Sequence, residues 1–142
     1  RRVKRSTALA PLSRDHHHCL VAALRLRRSS AENADDARRA FLEFWHGEGA
    51  HHFHVEEDVL LPAFARHVGP DADPIVRTLV EHVDLRRRAA DVPEASLEDL
   101  HALGRRLGDH IRAEENELFP LIEQALPAAE LEALAAAIAS RG

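Results

Sequence analysis

Residues 52–62 read HFHVEEDVLLP and residues 110–120 read HIRAEENELFP. His, Glu, Glu, Leu and Pro recur in one register, 58 residues apart. In each copy a His stands four residues before a Glu, as His52/Glu56 and His110/Glu114. Residues four apart on a helix lie one above the other on a single face. In both copies that face is the apolar stripe. Around the first it is Phe41, Trp45, Glu48, His52, Glu56, Val59 and Ala63; around the second, Leu100, Leu103, Leu107, His110, Glu114, Glu117 and Leu121. A carboxylate at a core position must be paired or must bind a metal, because a bare buried charge is costly. The repeat therefore predicts two long helices, each turning one His and one Glu into the interior.

Outward from these two segments, caps and breakers mark the rest. A first helix is predicted from about Ser13, as N-cap, to about Arg28, with Leu12, His16, Leu20 and Ala23 on one stripe. The second runs from near Asp35 to about His67; Gly47 and Gly49 weaken it locally and Gly69-Pro70 stops it. Asp73-Pro74 opens a third, with Ile75, Leu79, His82, Leu85 and Ala89 inward, ending before Pro93. Ser96, with Asp99 three residues on, opens the fourth. Pro62 and Pro120 read as a kink or a helix end. A short tail after Pro127 carries Leu131, Leu134 and Ile138 on one side. Loops of a few residues favour antiparallel neighbours. The expected fold is all-α: an antiparallel up-down-up-down four-helix bundle with a short C-terminal helix, over residues 12–142. Residues 1–11, basic at Arg1, Arg2, Lys4 and Arg5, read as a flexible, solvated arm.

Composition agrees and excludes several classes. The 142 residues suit one domain, and Ala and Leu outweigh the β-branched residues. With 24 acidic and 19 basic residues the net charge is −5, a mixed balance that gives no reason to expect nucleic acid. No apolar run is long enough to span a membrane, and no signal peptide is visible. The lone Cys19 rules out an intrachain disulfide framework, points to a reducing, cytoplasmic setting, and reads as a small core residue. The chain opens on Arg1 rather than Met, which leaves room for residues upstream. The outlier is histidine, with 11 residues in a chain that has no Tyr.

The remaining two helices each offer one core-facing His, at His16 after Asp15 and His82 after Glu81. Four helices thus supply four inward imidazoles and two inward carboxylates, a donor set suited to iron, manganese or zinc. Two carboxylates among four imidazoles can bridge two metals and leave positions open for a small ligand. His16 continues the stripe from Leu12 to Leu20, whereas the adjoining His17 shares a face with Leu20 and Leu24; His16 is the preferred first-helix candidate and His17 the alternative. Glu48, one turn before His52, is either a further ligand, a partner that orients an imidazole, or a partly solvated residue. His46, His51, His54 and His67 fall off the stripes and are expected at the surface. So are Glu57 and Glu115, about 100° round the helix from Glu56 and Glu114.

The pieces RDHHHCL at 14–20, HFHVEEDVLLP at 52–62, VEHVDLRR at 80–87 and HIRAEENELFP at 110–120 resemble the hemerythrin-like, or HHE cation-binding, domain family. The resemblance implies a non-haem di-iron centre in a four-helix bundle, the irons bridged by carboxylates and by an oxo or hydroxo species. Carried over residue by residue, it makes His16, His52, Glu56, His82, His110 and Glu114 the ligands, with Glu56 and Glu114 as bridges. Two places depart from the oxygen-carrying hemerythrins. Arg86 stands where they have a second third-helix His, and His110 is followed at four by Glu114 and at five by Glu115, where they have Asp at five. One His fewer implies a more open site.

The resemblance implies a protein that binds or senses dioxygen, nitric oxide or peroxide. The competing classes are a di-iron enzyme acting on peroxide or a small redox substrate, a protein that handles or senses iron, and a metal-free scaffold. The last would have to bury its polar core unaided.

Overall fold

A computed structural model describes residues 4–142 and is helical, with no strand among the described residues. Helix α1 is Ala10–Arg27. Helix α2 covers 34–68 as three α segments (Ala34–Phe44, Ala50–Val55 and Leu61–Val68) joined by π turns at Trp45–Gly49 and Glu56–Leu60. Helix α3 is Asp73–Ala90. Helix α4 covers 97–125, Leu97–Ala113 and Phe119–Ala125 being joined by a π turn at Glu114–Leu118. Helix α5 is Ala128–Ser140. Gly69 ends α2 at φ 89°, a left-handed conformation that Gly adopts without strain. The Ser96 hydroxyl caps α4 by accepting the Asp99 N–H at 3.0 Å. Among the described residues no helix is long and apolar enough to cross a membrane.

Pro62 and Pro120 neither end nor break their helices. Each lacks an N–H and presses its ring toward the carbonyl one turn back. The helix answers by widening into a π turn just upstream, at 56–60 and 114–118. Each π turn adds one residue and shifts the phase of everything beyond it. After Trp45 the next inward residue is Gly49, not Glu48; after Glu56 it is Leu60, not Val59; after Glu114 it is Leu118, not Glu117. The expected stripes are corrected accordingly, and Glu48, Glu117 and Leu121 are exposed. Gly49 sits under two rings: a Cβ there would lie 2.9 Å from both Phe44 and Trp45.

Two further expectations change. In α3 the inward line is Ile75, Thr78, His82, Leu85 and Ala89, and Leu79 faces out. Thr78 can face inward because its hydroxyl donates to the Pro74 carbonyl at 2.7 Å. The arm expected over 1–11 is docked on the bundle from Arg5 onward, although Lys4 and Thr7 are exposed. Arg1 and Arg2 lie outside the described residues, but the Arg5 guanidinium donates to Glu123 at 2.8 Å, the Ser6 N–H donates to Glu123 at 2.6 Å, and Ala8 and Leu9 are buried. The apolar Ala8-Leu9 pair extends the core upstream, so α1 starts at Ala10 instead of being capped by Ser13.

The core has two apolar halves. One gathers Leu9, Leu12, Leu60, Phe64, Ile75, Phe119 and Ile122 and is closed by Leu134 and Ile138 of α5. The other gathers Cys19, Leu26, Phe41, Trp45, Leu85, Leu100, Leu103 and Ile111. Helix α1 lies along the first half of α4 and is packed tightly at Gly104, where a Cβ would stand 2.7 Å from the Ala23 carbonyl oxygen. The tail after Pro127 packs on its own bundle, held at its ends by His67–Glu130 and Arg141–Asp58 contacts of 2.8 and 2.9 Å.

Candidate metal centre

Each of α1 to α4 turns one buried imidazole inward: His16, His52, His82 and His110. The first residues of two π turns, Glu56 and Glu114, add buried carboxylates. These six form two overlapping groups of metal-binding type. One is His16, His52, Glu56 and Glu114; the other is His82, His110, Glu56 and Glu114. Within each, one donor atom from every residue lies within 4.8 Å of the others.

The carboxylates divide their oxygens between the groups. Glu56 Oε2 is 3.1 Å from His52 Nε2 and 3.7 Å from His16 Nε2, while Glu56 Oε1 is 3.1 Å from His82 Nε2. Glu114 Oε1 is 2.8 Å from His16 Nε2, while Oε2 is 2.9 Å from His110 Nε2 and 3.5 Å from His82 Nε2. Each group thus has two imidazole nitrogens and two carboxylate oxygens, and each carboxylate spans both. The residues fit a pair of cations. His52 Nε2, His82 Nε2, His110 Nε2, both Glu56 oxygens and Glu114 Oε2 are buried without a hydrogen-bond partner, a state native interiors avoid. Their close approaches are not aligned as hydrogen bonds; the atoms gather instead in the two overlapping groups.

The outer nitrogens are all engaged. His16 Nδ1 is bonded to Glu115 at 2.6 Å, His52 Nδ1 to Asp15 at 3.0 Å, His82 Nδ1 to Glu57 at 2.6 Å and His110 Nδ1 to Glu81 at 2.6 Å. These bonds form a closed ring. Asp15 of α1 holds the imidazole of α2, Glu57 of α2 that of α3, Glu81 of α3 that of α4, and Glu115 of α4 that of α1. An Nδ1–H donated outward leaves Nε2 as the lone-pair nitrogen facing inward, the tautomer a metal requires. Arg86 supports Glu57 at 3.0 Å, and Arg5 and Ser13 support Glu115 at 3.3 and 2.8 Å. Phe53 stacks on His82 with centroids 4.0 Å apart, and Phe119 on His16 at 5.0 Å.

Burial by itself would lower every one of these imidazole pKa values. The facing carboxylates reverse that. The Glu114 carboxylate, with Glu115 and Glu56 beside it, raises His16 to about 10, the same carboxylate with Glu56 and Glu57 raises His82 to about 11, and attraction to Glu114 raises His110 to about 9. Attraction to Glu56 carries His52 well above its usual range. Burial and the Glu114 charge would raise Glu56, but His52 and His16 hold it down to about 2; burial would raise Glu114 too, but His110 above all, with His16 and His52, holds it well below the usual carboxylate range. Without a cation the layer is therefore a set of imidazolium–carboxylate contacts, and a cation must displace those protons.

All six residues singled out in the sequence meet here. His17 is exposed and outside both groups. Glu48 is also exposed; its carboxylate faces His18 Nδ1 at 3.2 Å, because the π turn at 45–49 carries it off the inner face. His46, His51, His54 and His67 are exposed. Glu57 and Glu115 are not the free surface residues expected: with Asp15 and Glu81 they form the ring. The signal was in the sequence. Each acid adjoins a centre residue, as Asp15-His16, Glu56-Glu57, Glu81-His82 and Glu114-Glu115, and one step round a helix aims a side chain at the neighbouring helix. The Cys19 thiol is pushed up to about 12 by burial, as befits an inert core residue.

Neither a curated protein nor a solved structure matches the chain. The family model described as the hemerythrin HHE cation binding domain matches residues 7–122, a span that takes in all six centre residues and all four acids of the ring. The chain belongs to the hemerythrin HHE cation-binding domain family.

Proposed function

We propose that this chain is a non-haem di-iron protein that binds or senses dioxygen, nitric oxide or peroxide. His16 and His52 hold one iron, His82 and His110 the other, and Glu56 and Glu114 bridge the two. The helices run up-down-up-down, each antiparallel to the next, as their short connections favour. The observation that carries the reading is the shared pair of carboxylates, each with one oxygen in either group, beside the inward nitrogens of His52, His82 and His110, which lack hydrogen-bond partners. A pair of irons supplies reversible redox change and open positions for a small ligand. The chain itself holds four Nε2 atoms inward through the acid ring, supplies two bridging carboxylates, and walls the layer with Phe53 and Phe119.

Metal analysis of the purified chain, with its visible spectrum in air and after reduction, tests this reading. About two irons per chain are expected, with bands that respond to oxygen or nitric oxide. One zinc, or no metal after loading with ferrous iron, overturns it. Turnover of peroxide above that of free iron moves it from binder to enzyme.

The ring makes a separate prediction. Asp15→Ala removes the acceptor of His52 Nδ1 at a partly exposed position, with little disturbance of the core. Metal affinity is expected to fall by about 10- to 100-fold, the usual effect of losing a partner that orients a ligand. Competition with a chromophoric chelator measures it, and unchanged affinity would show the ring to be incidental.

A further inference from the structure

The outer face of α3 has a second apolar seam that the metal centre does not explain. Inward, α3 turns Ile75, Thr78, His82, Leu85 and Ala89, at steps of three, four, three and four. Outward, the same steps pick out Asp73, Val76, Val80, Val83 and Arg87. Val80 and Val83 are 62% and 69% exposed, and Val76 and the flanking Leu79 are exposed as well. Of the exposed large apolar side chains among the described residues, these four lie on this one helix. Valine is a poor choice for a solvated helix face, since it loses rotamer freedom and shows apolar surface to water.

The charges around the seam identify what covers it. Asp73 lies seven residues before Val80 and Arg87 seven after it. If a second α3 lies antiparallel across the first with the two-fold axis at Val80, Asp73 meets the other copy's Arg87, Val76 meets its Val83, and Val80 meets its own equivalent. The Asp73–Arg87 pair then forms twice, once at each end, as an isologous interface requires. An acid at the start of a helix and a base at its end also suit the helix dipole. The dipole does not call for three valines on the line between them. Asp73 belongs to no ion pair among the described residues, and the exposed Arg87 is paired at 3.0 Å with Asp84, a half-buried carboxylate that Arg88 and Arg106 also approach, so Arg87 can exchange partners and leave Asp84 paired.

We propose that two copies of this chain associate through α3, antiparallel, with Val76, Val80 and Val83 forming the seam and Asp73–Arg87 pairs closing both ends. The contact spans about 21 Å of helix, 14 steps at 1.5 Å each. A seam of one helix against another falls at the small end of interface sizes, so the dimer is weak and reversible, in the micromolar range.

Sedimentation velocity of the full chain across the micromolar range tests this, with circular dichroism to check that every variant keeps its helix content. The wild type is expected to pass from monomer to dimer. Val80→Asp sets two carboxylates against each other on the axis and is expected to weaken association about 100-fold. Asp73→Arg alone and Arg87→Asp alone put like charges together and are each expected to weaken it about tenfold, while the double exchange returns it to within about threefold of the wild type. That rescue separates a specific antiparallel pairing from general stickiness. A wild type that stays monomeric, a dimer indifferent to Val80→Asp, or a double exchange no better than the singles overturns the proposal. A partner protein bound at this face by a chain that does not dimerise overturns it too.

Discussion

Glu56→Ala is expected to empty both metal positions, whereas His82→Ala empties one. The difference follows from which groups each residue joins. His82 belongs only to the group with His110, while Glu56 belongs to both and turns a different oxygen to each. After loading and desalting, Glu56→Ala should fall from about two metals per chain to none, and His82→Ala to about one. Without metal the variant also leaves His16, His52 and His82 short of a carboxylate that is itself fully buried. Removing one partner from buried charged contacts typically costs about 3–5 kcal/mol, so its metal-free form should melt well below that of the parent. Glu56→Gln separates the two effects: it keeps the shape and a hydrogen-bonding group and gives up the charge. It should lose the metals with less loss of stability. Equal metal loss from Glu56→Ala and His82→Ala would mean that the carboxylates do not bridge. Two metals retained by Glu56→Ala would remove Glu56 from the centre.

Much of this centre was legible in the sequence because a helix has a fixed period and a buried carboxylate has few excuses. His52, Glu56, His110 and Glu114 stood out through their repeat, and His16 and His82 through the stripes they continued. Three of the errors share a cause. Glu48, Glu117 and Leu121 were placed inward by extending a uniform period through segments that hold an extra residue. Proline marked two of those segments, but proline alone does not say whether a helix kinks, ends or widens; the outcome depends on what the next turn packs against. Glu57 and Glu115 were misjudged for a related reason. A side chain 100° off the inner line is solvent-facing only if no helix stands beside it, and neighbouring helices are a tertiary fact. Thr78 replaced Leu79 because a hydroxyl can bond its own helix, a compensation that a hydropathy pattern does not register. The docked segment at Arg5–Leu9 depends on Glu115 and Glu123, more than a hundred residues away, and local composition has no access to such a partner.

The metal-loaded and metal-free forms should respond to pH in opposite senses. In the metal-free protein His16, His82 and His110 are raised from 6.5 to about 10, 11 and 9, so the folded state holds protons more tightly than the unfolded chain does. Their stabilisation is fully present below 6.5 and is lost as pH rises through 9 to 11. Glu56 is lowered from 4.5 to about 2, so its contribution is present above 4.5 and is lost as pH falls toward 2. Metal-free, the bundle should be most stable between these windows, in mildly acidic solution, and should weaken in alkali. Cations need the same imidazoles neutral, so protons compete with them and binding strengthens as pH rises. Each ion at a thousandfold excess over its Kd adds about 4 kcal/mol. For a chain of this size that raises Tm by on the order of 10 °C. Melting curves with and without chelator should therefore lie close together near pH 5 and separate progressively toward pH 9. The separation arises because one charged layer is held together by protons at low pH and by metal at high pH. A gap that narrows as pH rises, or melting indifferent to chelator at every pH, would show that the buried histidines and glutamates hold the bundle by proton-mediated contacts alone.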